Sequence, residues 1–407
     1  SNSASNHLPN RENYFRFRRM DFRHEINLVH FQLRNLIACP TRDNVFYVGR
    51  SKILHFNPGY GEKSARKSTA MDLSNPKIPS LYSQARGIQI TTLSVGHNVL
   101  VAGGFCGEYG LLNLDSHKDS KHIQGLISEG PNSLINHILV HSTRSKNYPV
   151  AAFASNHNSL RLLDTHTNKL LSEHNYNHAI NCSAISPDLR LRVMVGDTPQ
   201  VYICDAESGK LLQSLDGHLD HGFSCDWADD GWTVATGNQD QQVKIWDARK
   251  WNNSQGDSCP IATVTSNMAG PRKLKFSPLG SGKRLLVAAE PVDYISIIDA
   301  ESFTTQQTIS LFGEICGFDF ANDGQDLYVA IVDSARGGIL ELERSNLAEY
   351  GRDEIERVFN PKCRTRSHSG VFDCINEHNI AYHPNAQVTQ LSLERRVASL
   401  GANMGCL

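Results

Sequence analysis

Along most of the chain, apolar and polar residues alternate in short runs that end on an acid. The runs are Leu112-Asn-Leu114-Asp115, Leu160-Arg-Leu-Leu163-Asp164, Val201-Tyr-Ile203-Cys-Asp205, Val243-Lys-Ile245-Trp246-Asp247, Ile295-Ser-Ile-Ile298-Asp299 and a degenerate Ile339-Leu-Glu-Leu342-Glu343. A period of two predicts strands with one buried face, and an acid directly after them suits a turn. The acids recur 49, 41, 42, 52 and 44 residues apart. In phase with them, roughly 19 to 22 residues upstream, lie polar turns at Ser186-Pro187-Asp188, Asp229-Asp230-Gly231, Ser277-Pro278-Leu279-Gly280 and Asn322-Asp323-Gly324. Short apolar strands flank each turn, as at 179–185, 223–227, 274–276 and 315–320 before it, and 232–236 and 327–331 after it. The predicted unit is strand, turn, strand, turn, strand, acid, then a more variable fourth strand. Four strands per ~40–45 residues is the period of a propeller blade.

The stretch Gly217 to Asp247 carries more than the rhythm. Gly217-His218 opens it, Asp230-Gly231 makes its first hairpin, and Trp246-Asp247 closes it. On these residues the sequence resembles the WD40-repeat family. The resemblance implies a hydrogen-bonded tetrad of His218, Thr236, Asp240 and Trp246, in which a buried indole N–H and a hydroxyl find partners and Asp240 accepts from His218. The other units keep the pattern without the full tetrad. More weakly, the whole chain resembles a divergent fungal WD-repeat group that includes substrate receptors of a GID-type ubiquitin ligase.

The expected fold is therefore all-β, a seven-bladed WD40-like propeller over residues 31–345. Blade cores are placed at 31–75, 88–133, 134–176, 177–216, 217–266, 267–312 and 313–345. The Pro/Ser/Lys-rich segment 57–86 reads as an inserted loop, with lesser insertions at 116–133 and 252–260. A ring must pair its last edge, so residues 1–30 are expected to hold a closing strand, Tyr14 to Phe22. Residues 346–407 form an appendage with a helix-compatible piece at 347–358.

Composition changes this picture little. The chain has 407 residues, 40 basic against 42 acidic, and 40% hydrophobic content. That suits a soluble globular chain with material for a core and excludes a globally basic nucleic-acid binder. The densest apolar run, 285–289, is far short of the ~20 residues a spanning helix needs. The polar N-terminus has no hydrophobic leader, and without an initiator Met the chain reads as trimmed from a longer one. Ten cysteines, none in a Cys-x-x-Cys pair, sit mostly in apolar runs. They predict buried thiols and a reducing compartment, cytoplasmic or nuclear.

Candidate chemistry is sparse. Five arginines interleave with aromatics between Arg11 and Arg23. They suit single-stranded nucleic acid, or else the charged edge of a closing strand, the reading the blade count favours. Cys363, His368, Cys374 and His378 are zinc-ligand types without the tight spacing of a knuckle. The glycine-rich Gly103 to Gly110 joins two strands, so it is a hairpin and not a phosphate loop. No catalytic motif occurs, and no cofactor, metal or catalytic residue is expected; a hydrolase hidden in the channel is the reading without a motif. The expected function is a protein-interaction scaffold, through the loops of one propeller face, and in its finer form a ubiquitin-ligase receptor. On that face the turns between second and third strands carry Glu108, Asp197, Asp293 and Asp333, with Phe105, Tyr109, His157 and Tyr294 beside them. Converging acids with aromatic anchors suit a basic segment or a free N-terminal amine; turn chemistry alone also favours Asp there.

Overall fold

A computed structural model describes residues 7–59, 67–83, 86–115 and 121–345. The expected helical piece at 347–358 and the Cys363, His368, Cys374 and His378 set lie outside the described residues. After β1 (Phe15–Asp21) comes a first four-stranded sheet of β2 (Ile37–Thr41), β3 (Asn44–Val48), β4 (Lys52–Phe56) and β5 (Ser68–Asp72). The second sheet holds β6 (Ile90–Gly96), β7 (Val99–Gly104), β8 (Glu108–Asn113) and β9 (Ile123–Leu126). The third holds β10 (Ile135–His141), β11 (Val150–Ser155), β12 (Ser159–Asp164) and β13 (Lys169–Asn175). The fourth holds β14 (Ile180–Ile185), β15 (Leu191–Gly196), β16 (Thr198–Asp205) and β17 (Leu211–Leu215). The fifth holds β18 (Gly222–Trp227), β19 (Thr233–Asn238), β20 (Gln242–Asp247) and β21 (Ala262–Thr265). All are antiparallel, in sequence order.

The last sheet has seven strands, in the order β1-β27-β26-β25-β24-β23-β22. It contains β22 (Lys273–Phe276), β23 (Leu285–Ala289), β24 (Val292–Asp299), β25 (Gln306–Ala321), β26 (Asp326–Val332) and β27 (Gly338–Arg344). Its longest strand serves twice: residues 306–310 pair with β24, and residues 314–321 pair with β26. We number the four-stranded units as blades one to seven, dividing β25 at Gly313, where φ is +114°.

The N-terminal strand completes blade seven. β1 runs antiparallel to β27, from Phe15 opposite Arg344 to Asp21 opposite Ile339. Phe15 is fully buried against the Leu340 and Leu342 side. The arginines of β1 face acids: Arg16 and Arg18 reach Glu343 at 2.7 and 2.9 Å, Arg18 reaches Asp326 at 2.8 Å, and Arg19 pairs with Glu341 at 2.5 Å. Their charge is committed to the propeller's own edge. The segment does not offer the row of unpaired cations that a single-stranded nucleic acid would track.

First strands of successive blades pack side by side around a channel. A belt of side chains staples each to the next. Thr91 Oγ1 donates to the Ile135 carbonyl (2.7 Å), Asn136 Nδ2 to Ile180 (3.0 Å), Asn181 Nδ2 to Gly222 (3.0 Å), and Ser224 Oγ to Pro271 (2.9 Å). Arg34 Nη1 donates to the Ile315 carbonyl (3.2 Å) where blade one meets blade seven. These bonds satisfy polar groups at the top of strands that are otherwise apolar and buried.

Two expectations need correction. Residues 57–86 and 116–133 are not simply insertions, because β5 and β9 lie within them as the outer strands of blades one and two. Both are short and largely exposed or half-buried, so nothing forces the period-two pattern that marks the inner strands.

Candidate functional site

In blade five the four residues named from sequence are hydrogen-bonded in one chain. Trp246 Nε1 donates to Thr236 Oγ1 at 2.9 Å, Thr236 Oγ1 meets His218 Nε2 at 2.9 Å, and His218 Nδ1 meets Asp240 Oδ2 at 3.0 Å. Trp246 and Thr236 are fully buried. Burial pushes the Asp240 carboxyl upward, but hydrogen bonds from His218 and from the Leu219 and Gln242 amides outweigh it and hold it below the ordinary carboxylate range. The chain pins the loop at Gly217 to the inner strands. Its polar groups are spent internally, which leaves them no ligand role.

Four of the recurring acids at strand ends are turn builders. Asp164 accepts from the His166 amide (2.8 Å), Asp205 from Ser208 (2.7 Å), Asp247 from Arg249 (2.9 Å) and Asp299 from Glu301 (2.9 Å). A carboxylate reaching two or three residues ahead fixes such turns. Glu343, in the degenerate unit, instead holds β1.

Because each blade's strands alternate in direction, the turns between second and third strands share one end of the propeller with the connections from blade to blade. The residues expected to bind a partner lie at this end but do not form an acidic mouth. Glu108 and Tyr109 are corrected outright, being only 3% and 4% exposed. The Glu108 carboxylate accepts from the Cys106 amide across its own turn (2.8 Å), and Tyr109 Oη donates to Asn168 (2.9 Å). They belong to a tight hairpin closed by Gly107, at φ +84°, where a Cβ would strike the Ser128 carbonyl at 2.1 Å. Asp197 is exposed, accepts from Asn181 Nδ2 (2.8 Å) and lies 3.8 Å from His221. Asp333 caps its own turn through the Ala335 and Arg336 amides, both at 2.9 Å. Asp293, at φ +69°, and Tyr294 open β24 and are half-buried. His157 Nε2 lies 3.1 Å from Ser133 Oγ. Phe105 is exposed, with its ring 6.0 Å from His30, which stacks on Phe31 at 5.0 Å. None of these predicted residues lines the channel.

The channel, about 190 Å³, is lined instead by a set that sequence reading missed. Its cations are Arg34, Arg272, Lys273 and Lys275, and its carboxylates are Asp226 and Asp319. Arg34 pairs with Glu314 at 2.9 Å, and Lys275 with Asp319. Burial, with Arg34 and Arg272 nearby, brings the His30 imidazole down to about 4, so it is neutral at pH 7. Burial raises the Asp226 carboxyl to about 7, although it accepts from the Phe276 amide at 2.7 Å. Among the described residues no group of three or more His, Cys, Asp or Glu is placed to hold a metal. The described cysteines are free thiols, most of them buried.

No family model matches the chain. The uncharacterized protein C4G3.03 of Schizosaccharomyces pombe is 24% identical over 311 residues, which covers 70% of this chain and 81% of that protein. Among solved structures, the WD40 β-propeller domain of Doa1 is similar with a TM-score of 0.62 at 13% identity, over 82% of this chain and 98% of that one. The fold is a WD40-type β-propeller.

Proposed function

We propose that this chain is a non-catalytic interaction platform that docks protein segments on the end of the propeller bearing the blade-to-blade connections. The observation that carries the reading is a collar of large apolar side chains exposed on separate loops around one channel opening. Phe31 is 52% exposed, Leu219 82%, Met268 49% and Phe312 64%, with Phe105 beside them. The first four come from different blade-to-blade connections and Phe105 from the second hairpin of blade two; together they give the anchors an interface needs. The strands beneath are rigid and buried, and the loops carry the variation. The use of WD40-type propellers as interaction scaffolds agrees with this reading at the level of fold.

The test is comparative purification. Phe31, Leu219 and Phe312 are changed together to Ser, and Trp232 and Leu279, exposed at the opposite end, are changed in a control. The first variant is expected to melt like the parent and lose the proteins that co-purify with it, while the control keeps them. A control that loses the same proteins, with the first variant keeping them, overturns the docking face. The finer form of the reading is a substrate receptor of a ubiquitin ligase, supported by the sequence resemblance alone. It requires ligase subunits among the co-purifying proteins and falls if they are missing.

A further inference from the structure

The channel's four cations fall into two classes. Arg34 and Lys275 each have a carboxylate partner, Glu314 at 2.9 Å and Asp319. Arg272 and Lys273, consecutive residues at the docking end, form no ion pair with a carboxylate among the described residues, and their hydrogen-bonded acceptors are neutral amides. Arg272 Nη2 donates to Gln239 Oε1 at 2.8 Å, and Lys273 Nζ donates to Asn35 Oδ1 at 2.6 Å. The Arg272 guanidinium carbon sits 3.7 Å from the centre of the Phe223 ring, and its Nε and Nη1 are enclosed with no acceptor. Burial brings the Lys273 ammonium down to about 8, against the pull of Asp319. Burial and the neighbouring Arg34 bring Arg272 down to about 10. Two desolvated cations with no carboxylate at ion-pair distance, offset only by the pull of Asp319 on Lys273 and of Asp220 on Arg272, are costly to hold. A bound anion relieves that cost.

The surroundings narrow the anion's identity. Arg272 and Lys273 line the channel near the docking end of their blade, and Asp226 and Asp319 lie among the lining of the same channel. A nucleic-acid strand would want a track of cations along a groove. Around the opening stands the apolar collar, which suits side chains flanking a single acid. Resting on the docking face argued above, we propose that the channel mouth binds a partner peptide segment in which a carboxylate is flanked by apolar residues. Arg272 and Lys273 receive the carboxylate, and Phe31, Phe105, Leu219 and Met268 receive its neighbours. The ammonium has three donors and keeps Asn35 while taking the acid. At Arg272 Nη2 the carboxylate replaces a neutral amide acceptor with a charged one, the stronger bond.

A side-chain carboxylate and a chain-terminal one share this chemistry, and the experiment separates them. The probes are fluorescein-labelled pentapeptides of Leu and Phe around a central X, amidated at the C-terminus, with X as Asp, Glu, Asn or Lys. A fifth arm has X as Asn and a free C-terminal carboxylate. Binding to the full chain is read by fluorescence anisotropy. The expected result is that the Asp and Glu arms, or the free-carboxylate arm, bind about tenfold or more tightly than the amidated Asn arm. The preference should shrink as salt rises from about 50 to about 300 mM. It should vanish in Arg272→Gln/Lys273→Met, whose melting temperature is unchanged or higher because two unpaired buried charges are gone. If that double variant unfolds, Lys273→Met alone supplies the same readout.

An Asn or Lys arm that binds as well as the Asp arm overturns the acid recognition and leaves the docking face standing. So does an acid preference that survives the folded variant. Absence of binding in every arm overturns both. Displacement of the Asp peptide by an unstructured RNA at equal concentration overturns the peptide in favour of nucleic acid.

Discussion

Blade five and blade seven fix their strands by opposite means. In blade five the lock is local and dry. Thr236 and Trp246 are 10 residues apart, His218 and Asp240 are 22 apart, and all four side chains sit deep in the blade. In blade seven the closing strand arrives from the other end of the chain, with Arg16 and Glu343 327 residues apart. It is held by a backbone ladder, one buried phenylalanine and a line of partly exposed ion pairs. A buried network is insensitive to salt and punishes any missing member, whereas exposed pairs are screened and individually weak. The ring's seam is thus its most condition-dependent part, and blade five is a fixed point that forms from short-range contacts.

The largest expected effect comes from breaking the seam altogether. Deleting residues 1–24 removes Phe15 and leaves the whole of β27 as an unpaired edge, so the protein should aggregate or melt far below the parent, read by light scattering and calorimetry. A truncated chain with the parent's melting curve would show that the seam does not matter. Next, Trp246→Ala should cost about 3–5 kcal/mol in denaturant unfolding, since it empties a fully buried site and strands Thr236. Asp240→Ala should cost less, about 1–3 kcal/mol, as a lost partner for His218 and two amides.

Two smaller effects sharpen the contrast through pH and salt. The Asp226 carboxyl, on the first strand of blade five, is raised from about 4 to about 7 when folded, so the folded chain holds a proton that the unfolded chain releases. Stability from this group is full below about pH 4 and declines toward pH 7. Asp226→Asn should match the parent near pH 4 and exceed it at pH 8. Glu343 runs the other way. Burial works against its charge, but Arg18 and Arg16 hold it below the ordinary carboxylate range, so its contribution is present at neutral pH and lost as pH falls through that depressed value. Glu343→Gln should cost under about 1 kcal/mol at low salt and nearly nothing at about 1 M salt.

What could be read in advance follows the same division between local and distant. Strands such as Val243 to Trp246 announce themselves because one face is buried, and the tetrad because its members lie within 30 residues of one another. The outer strands β5 and β9 are polar and half-exposed, so they pass for loop. Turn acids invited over-reading: Glu108 and Asp333 are the residues hairpins favour, and they bond to their own backbone. The channel cations left no signal. Arg34 and Arg272 come from separate connections and Lys273 from the head of β22, and only ring closure brings them together.

The long strand β25 has a consequence for how the molecule comes apart. It passes from the outer edge of blade six to the inner edge of blade seven with no intervening loop, and β1 is tied to the same sheet. Six ladders, from β22 across to β1, therefore form one hydrogen-bonded continuum. Such a continuum should exchange its amide hydrogens as one cooperative unit, a single foldon built from the N-terminal strand and residues 273–344. When the ring springs open under heat or force, blades six and seven should therefore depart together.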